Sequence, residues 1–337
     1  MNVGLAKIGQ KMFFNRSVKD VDRSNTNGNV GEYLLFKLLI DNNPDVTFYM
    51  LSTNDLPSVN KMFIPNNLVD AQEFDDKKAN EVIDKMFILP GLDEYMNDQR
   101  MIDILNNSVR PIYLLCDDPR CLDSINNSKR FNFYPEKIVG QSIGAYNWKG
   151  KMYDMSYVPV ELASCYMHDH SINTSLKTNE VIAVANTSGK EYNRLQILQD
   201  LLGDINIPVY GRLTQDESEF FKGNHKGELK FSEIEKVMDE SWSMVVIPIK
   251  KGWVTSKYVK CLMHNVWPIF YKDYAIELLD WNDACVISSH DELAETIKWL
   301  EDPANRNKKI RYILEWYSKF VEPYVDGKFV SEAIMNM

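Results

Sequence analysis

The sequence contains no uninterrupted apolar run near the roughly 20 residues a bilayer-spanning helix needs. Its start, MNVGLAKIGQ, lacks a basic stretch followed by a long apolar one, so no signal peptide is expected. Cysteine is sparse: Cys116, Cys121, Cys165, Cys261 and Cys285 are odd in number, scattered, and none forms a CxxC pair. That argues against a disulfide framework and for reduced thiols in a cytoplasm. The phosphate-cradling GxxxxGK[ST] pattern is absent, as are GxSxG and HExxH, which removes the P-loop, serine-hydrolase and zincin readings. Basic residues are outnumbered, 38 against 48, for a net charge of −10. A nucleic-acid binder usually shows a basic footprint; an acidic average argues against one without excluding a local basic groove.

What is present is an ordinary globular composition, 45% hydrophobic and 26% charged, over 337 residues. At about 100–200 residues per domain, two domains are expected. Short apolar strands alternate with helical spacing. Strands are expected at residues 3–8 (VGLAKI), 46–51 (VTFYML), 85–90 (KMFILP), 111–117 (PIYLLCD) and 137–142 (KIVGQS). Helices are expected at 31–42 and about 98–107, with a polar loop at 15–29. The rhythm restarts after about residue 178 with VIAVANT, a helix at 193–202, then IPVYGR, SMVVIPI, WPIFY and CVISS. The polar segment 167–179 is expected to be a linker. Such alternation implies parallel sheets covered on both faces, hence an α/β chain of two Rossmann-like halves. Open α/β sheets hold ligands at the carboxyl ends of their strands, and two facing halves would share one interdomain cleft.

Charged residues at those ends are the candidates for chemistry. In the second half, Ser188, Gly189, Lys190 and Arg194 lie between a strand end and a helix start, where free N–H groups and the helix dipole favour an anion. Lys190 and Arg194, four apart, could converge on one phosphate; the alternative is a surface turn with two solvated cations. Residues 253–271 form a helix and strand carrying Lys257 and Lys260, which residue patterning alone assigns to an ordinary connecting helix. In the first half a strand delivers Asp117, Asp118, Pro119 and Arg120. A carboxylate there could act as general base, or simply cap the next helix. Glu32 is a second candidate, its alternative being a carboxylate favoured by a helix dipole. Met167-His168-Asp169-His170 shows too few ligands at set spacing for a metal site.

The order of these segments resembles the DNA β-glucosyltransferases of T-even phages, of the GT-B type, over nearly the whole chain. The stretches that carry it are MNVGLAKIG with EYLLFKLL, IYLLCDDPR, VGQSIGAYNW with YDMSYVPVE, NTSGKEYNR and VTSKYVKCLMHNVWPIFY. The resemblance implies an acceptor-side domain of residues 1–166 plus about 318–337, and a nucleotide-sugar domain of residues 178–317. The C-terminal helix would cross back to the first domain. It puts the general base at Asp117, with Asp118 adjacent, and diphosphate contacts at Ser188, Gly189, Lys190 and Arg194. Lys257 falls near the nucleoside, and Phe231 near the loop that holds the uracil. Tyr95 and Met96, in the loop 92–97, fall where the target base is displaced from the duplex, with Arg120 on the acceptor side. Two positions depart from the pattern. Lys260 replaces a glutamate that binds the ribose, and a lysine donates but cannot accept. Gly31 replaces a glutamate near the donor sugar, with Glu32 one position away, so the sugar could differ from glucose.

The expected activity is therefore inverting transfer from a UDP-sugar to a hydroxymethylated pyrimidine, hydroxymethylcytosine foremost, in double-stranded phage DNA, with base flipping. No tightly bound cofactor is expected, and Mg2+ stays open as an aid to the departing diphosphate. The expected form is a monomer in the host cytoplasm, with no membrane contact. The rivals are a GT-B transferase acting on a saccharide, lipid or protein, which the acidic charge favours, and an inactive nucleotide- or DNA-binding relative.

Overall fold

The computed structural model describes residues 1–8, 30–52, 65–166, 168, 177–184, 192–221, 223–229, 231–279 and 285–337. They form two compact units. The first takes the described residues up to Tyr166 together with Asp326–Met337; the second takes those from 168 to Val325.

The first unit is built on strands β1 (Asn2–Lys7), β2 (Thr47–Met50), β3 (Leu68–Asp70), β4 (Lys85–Leu89), β5 (Ile112–Cys116), β6 (Lys137–Gly140), β7 (Gly144–Trp148) and β8 (Lys151–Tyr157). Their order across the sheet is β3-β2-β1-β4-β5-β6-β8-β7. β1, β4 and β5 are almost continuous apolar runs, because a parallel strand covered on both faces has no wet side. Helices α1 (Val30–Asp41), α2 (Asp76–Val82), α3 (Gln99–Asn106) and α4 (Pro119–Asn127) connect them. The strand order turns back between β1 and β4, which makes their carboxyl ends a topological switch point.

One departure from a wholly parallel sheet is the hairpin β7–β8, which pairs antiparallel. Its two-residue turn, Lys149-Gly150, has positive φ at both positions, 48° and 86°. That geometry matches the twist of the flanking strands and usually calls for Asn-Gly. A lysine holds the first position because it is tied down. Its N–H bonds Asn126 Oδ1, and its Nζ bonds the carbonyls of Asn126 and Ser128 at 2.8 Å each.

The second unit has strands β9 (Asn179–Val184), β10 (Val209–Tyr210), β11 (Ser241–Val246), β12 (Trp267–Tyr271) and β13 (Cys285–Ile287), ordered β10-β9-β11-β12-β13 and all parallel. Here the order turns back between β9 and β11. Helices α5 (Arg194–Leu202), α6 (Gln215–Phe220), α7 (Phe231–Asp239), α8 (Lys257–Met263), α9 (His290–Glu301) and α10 (Pro303–Phe320) surround it. Ser289 caps α9 and Asp302, followed by Pro303, starts α10, so one residue separates two helices.

The chain then returns to the first unit as α11 (Lys328–Met335), which buries Val330 and Ile334. Asn43 Nδ2 donates to Ser331 Oγ at 2.7 Å, Lys85 Nζ to the carbonyl of Met335 at 2.8 Å, and Tyr113 Oη to that of Met337 at 3.0 Å. The C-terminal helix therefore crosses back, as the resemblance implied. The return begins at Asp326, because α10 and the 3-10 turn Glu322–Tyr324 stay with the second unit. Among the described residues no helix is long and apolar enough to cross a membrane.

Candidate functional site

Asp117 sits one residue beyond β5, whose five residues are all buried. β6 presses on this strand end: a Cβ on Gly140 would lie 2.2 Å from the Cys116 carbonyl oxygen, so only glycine fits. The neighbouring acids have different surroundings. Asp118 is the N-cap of α4 and accepts the Arg120 N–H at 2.9 Å, with Pro119 at the first helical position. Its carboxylate also takes Arg120 Nε at 3.0 and 3.1 Å, and a further bond from Arg120 Nη2. Asp118 and Arg120 thus satisfy one another, the capping alternative of the two open for this strand end. Burial pushes the Asp117 carboxyl above the usual range. Lys7 opposes that shift, Asp118 adds to it, and backbone N–H groups of Asp117 and Asp118 oppose it.

Lys7 went unnoticed in the sequence because it sits inside an apolar strand run. It ends β1, is 3% exposed, and is lowered to about 8, chiefly by burial, against the pull of Asp117 and Asp118. A lysine that interrupts a buried parallel strand at its carboxyl end was the signal available.

The loop after β4 divides its two candidates. The 3-10 turn Asp93–Tyr95 is held by the Asp93 N–H on Ser124 Oγ at 3.0 Å and by the Arg130–Asp93 ion pair at 3.3 Å. Tyr95 is 54% exposed, whereas Met96 turns inward and is 4% exposed. Met96 is thus a core residue under the loop, and Tyr95 is the one presented to solvent. Glu32 lies in the first turn of α1, and its side chain is outside the described residues.

In the second unit two cations from distant segments meet the ends of the switch-point strands. Arg194 opens α5, is 7% exposed, and donates Nη2 to the carbonyl of Ile247, just past β11, at 2.9 Å. Lys257 opens α8 and donates Nζ to the carbonyl of Val184, the last residue of β9, at 2.6 Å. Burial holds Lys257 well below the usual lysine range, Arg194 and Lys260 lower it further, and Cys261 opposes them. Arg194 and Lys260 thus act on the Lys257 charge, beside the N-terminus of α5, where free N–H groups and the helix dipole favour an anion. Lys260 lies one turn along α8 and is partly exposed. Nearby, Tyr192 Oη donates to Asp273 at 3.1 Å. Ser188, Gly189 and Lys190 lie outside the described residues, as do Met167, Asp169 and His170; Phe231 begins α7, with its side chain undescribed. Among the described residues, no group of three His, Cys, Asp or Glu could hold a metal ion.

Two units, each with a parallel sheet that turns back at a switch point, define the GT-B fold. The comparison with solved structures gives the particular form. The chain matches the DNA-modifying enzyme β-glucosyltransferase with a TM-score of 0.69 at 13% identity, over 100% of this chain and 99% of that one. A T4 phage β-glucosyltransferase structure matches at 0.68 and 14% identity, with the same coverage. Anabaena HepE in complex with UDP and glucose matches at 0.53 and 11% identity, again over 100% and 99%. No family model and no curated protein matches the sequence.

Proposed function

We propose that this protein is a glycosyltransferase that moves a sugar from a UDP-sugar to the hydroxymethyl group of a modified pyrimidine, hydroxymethylcytosine foremost, in phage DNA. The observation that carries the reading is the convergence of Arg194 and Lys257 on the carboxyl ends of β11 and β9. A departing nucleoside diphosphate needs positive charge there. The solved relatives support the donor: T4 phage β-glucosyltransferase has been seen in complex with UDP-glucose and with UDP and Mn2+. A related structure is described as a DNA-modifying enzyme, which supports the acceptor.

In the proposed reaction, Asp117 takes the proton of the acceptor hydroxyl as its oxygen attacks the anomeric carbon. The bond from that carbon to the β-phosphate oxygen breaks, the anomeric centre inverts, and UDP leaves with its charge met by Lys190, Arg194 and Lys257. A carboxyl raised by burial suits a base working near neutral pH. Ser188 and Gly189 would offer donors to the diphosphate, Phe231 and Lys260 would border the nucleoside, and Glu32 the sugar. Because the hydroxymethyl group must reach the donor, the target base would leave the duplex, and Tyr95, which is exposed, would contact it. Asp118 and Arg120 would hold the loop that carries Asp117.

A second reading keeps the donor and changes the acceptor to a saccharide. It is favoured by the net charge of −10, which disfavours DNA, and by the fold shared with Anabaena HepE, solved with UDP and glucose. The test is mass spectrometry of hydroxymethylcytosine-containing DNA after incubation with the protein, Mg2+ and a panel of UDP-sugars. A mass gain with one donor supports the DNA reading. No gain with any donor, while calorimetry registers UDP binding, moves the acceptor to the saccharide class.

A further inference from the structure

Lys7 is a charge buried where the surrounding strand is apolar, and the sheet register says what it reaches. Lys7 pairs with Leu89 on β4, and Ile88 pairs with Leu114 on β5. Continued by one residue, the row runs Lys7, Leu89, Leu115. Row partners share a face; Asp117 follows the end of β5 by one residue, so Lys7 and Asp117 both lie at the carboxyl ends of strands two places apart in the sheet. The offset is two strand spacings, about 9.6 Å, by two residues, about 6.6 Å. A lysine's flexible four-carbon stem lets its ammonium lean from one strand end toward another. Each side chain also acts on the other's charge: Asp117 is the foremost group that raises Lys7, and Lys7 the foremost that lowers Asp117.

We propose that Lys7 is a positioning residue for Asp117, its ammonium holding the carboxylate ionised and aimed at the end of β5. The proposal rests on the reading of Asp117 as the general base. Among the described residues, the other charged and titratable groups near this carboxyl do not supply that charge. Arg120 is engaged by Asp118. Asp118 pushes Asp117 the wrong way. Cys116 and Cys121 are held as neutral thiols by burial, Cys121 pushed up to about 12. Two opposite charges in a buried setting stabilise one another's ionised forms, which a hydrophobic residue at position 7 would not do.

The test compares Lys7→Met and Lys7→Arg with the unaltered protein, measuring kcat against pH and KM for the UDP-sugar. Lys7→Met should lose at least about tenfold in kcat at the acid end while recovering at high pH, since removing a neighbouring opposite charge shifts a carboxyl by one unit or more. KM for the UDP-sugar should stay within about twofold, and Lys7→Arg should restore the profile. An active Lys7→Met with an unchanged pH profile would overturn the proposal. A second measurement needs neither turnover nor a folded Lys7→Met. The Lys7 ammonium is followed by NMR in the unaltered protein and in Asp117→Asn. It should titrate near 8 and then lower once the aspartate charge is gone. An identical titration in both also overturns the proposal. A protein that transfers no sugar but shows the reciprocal shift would fail the functional reading alone.

Discussion

Lys257 donates a 2.6 Å hydrogen bond from Nζ to the carbonyl oxygen of Val184, tying the first turn of α8 to the carboxyl end of β9. With Arg194 on the Ile247 carbonyl, the two cations mark both strands at the switch point of the second sheet.

Lys257→Met should weaken UDP binding. Hydrogen bonds involving a charged group contribute about 1.5–3 kcal/mol, so a loss of roughly 10- to 100-fold in affinity is expected. Calorimetry with UDP reads it directly.

The same lysine should make UDP binding pH-dependent. Burial and two neighbouring cations favour its neutral form in the free protein, so it loses its proton at lower pH than an ordinary lysine. Bound diphosphate favours the charged form. UDP binding should therefore take up a proton and weaken as pH rises through that lowered range. Calorimetry in buffers of different ionisation enthalpy should show heat that varies with the buffer, and Lys257→Met should abolish the variation.

Asp118→Ala removes the cap of α4 and the partner of Arg120. Loss of an N-cap costs about 0.5–2 kcal/mol, so urea unfolding should show a drop of that order. The effect on turnover should be smaller than that of Asp117→Asn, because Asp118 caps α4 and holds Arg120, while the proposed reaction gives the acceptor proton to Asp117.

Gly140→Ala tests how tightly the end of β5 is held. The added methyl would lie 2.2 Å from the Cys116 carbonyl oxygen, which is backbone and cannot swing aside. Overpacking of this kind costs about 1–3 kcal/mol or more. Lower stability should come with lower activity, since the displaced strand carries Asp117.

The strands were readable from sequence wherever burial on both faces leaves continuous apolar runs, as in β1, β4, β5 and β11. The β7–β8 hairpin was not, because its turn is Lys-Gly and is held by contacts to residues 126 and 128 that local sequence does not show. The adjacent acids after β5 could not be told apart from spacing. Only the bonds of Arg120 to Asp118 separate their surroundings. Lys257 was assigned by patterning to a connecting helix, since its partner Val184 comes from a distant segment. Met96 and Tyr95 are neighbours in sequence, and only the path of the 3-10 turn decides that one faces the core.

The proposed reaction stands or falls with Asp117 as the base of a UDP-sugar transfer. The most direct measurement follows UDP release from UDP-glucose with hydroxymethylated DNA as acceptor, comparing the unaltered protein and Asp117→Asn, with UDP affinity measured for both. Transfer is expected with the unaltered protein, together with a loss of at least about a hundredfold in Asp117→Asn, in keeping with general-base catalysis, and equal UDP affinity. Transfer at full rate by Asp117→Asn would contradict it.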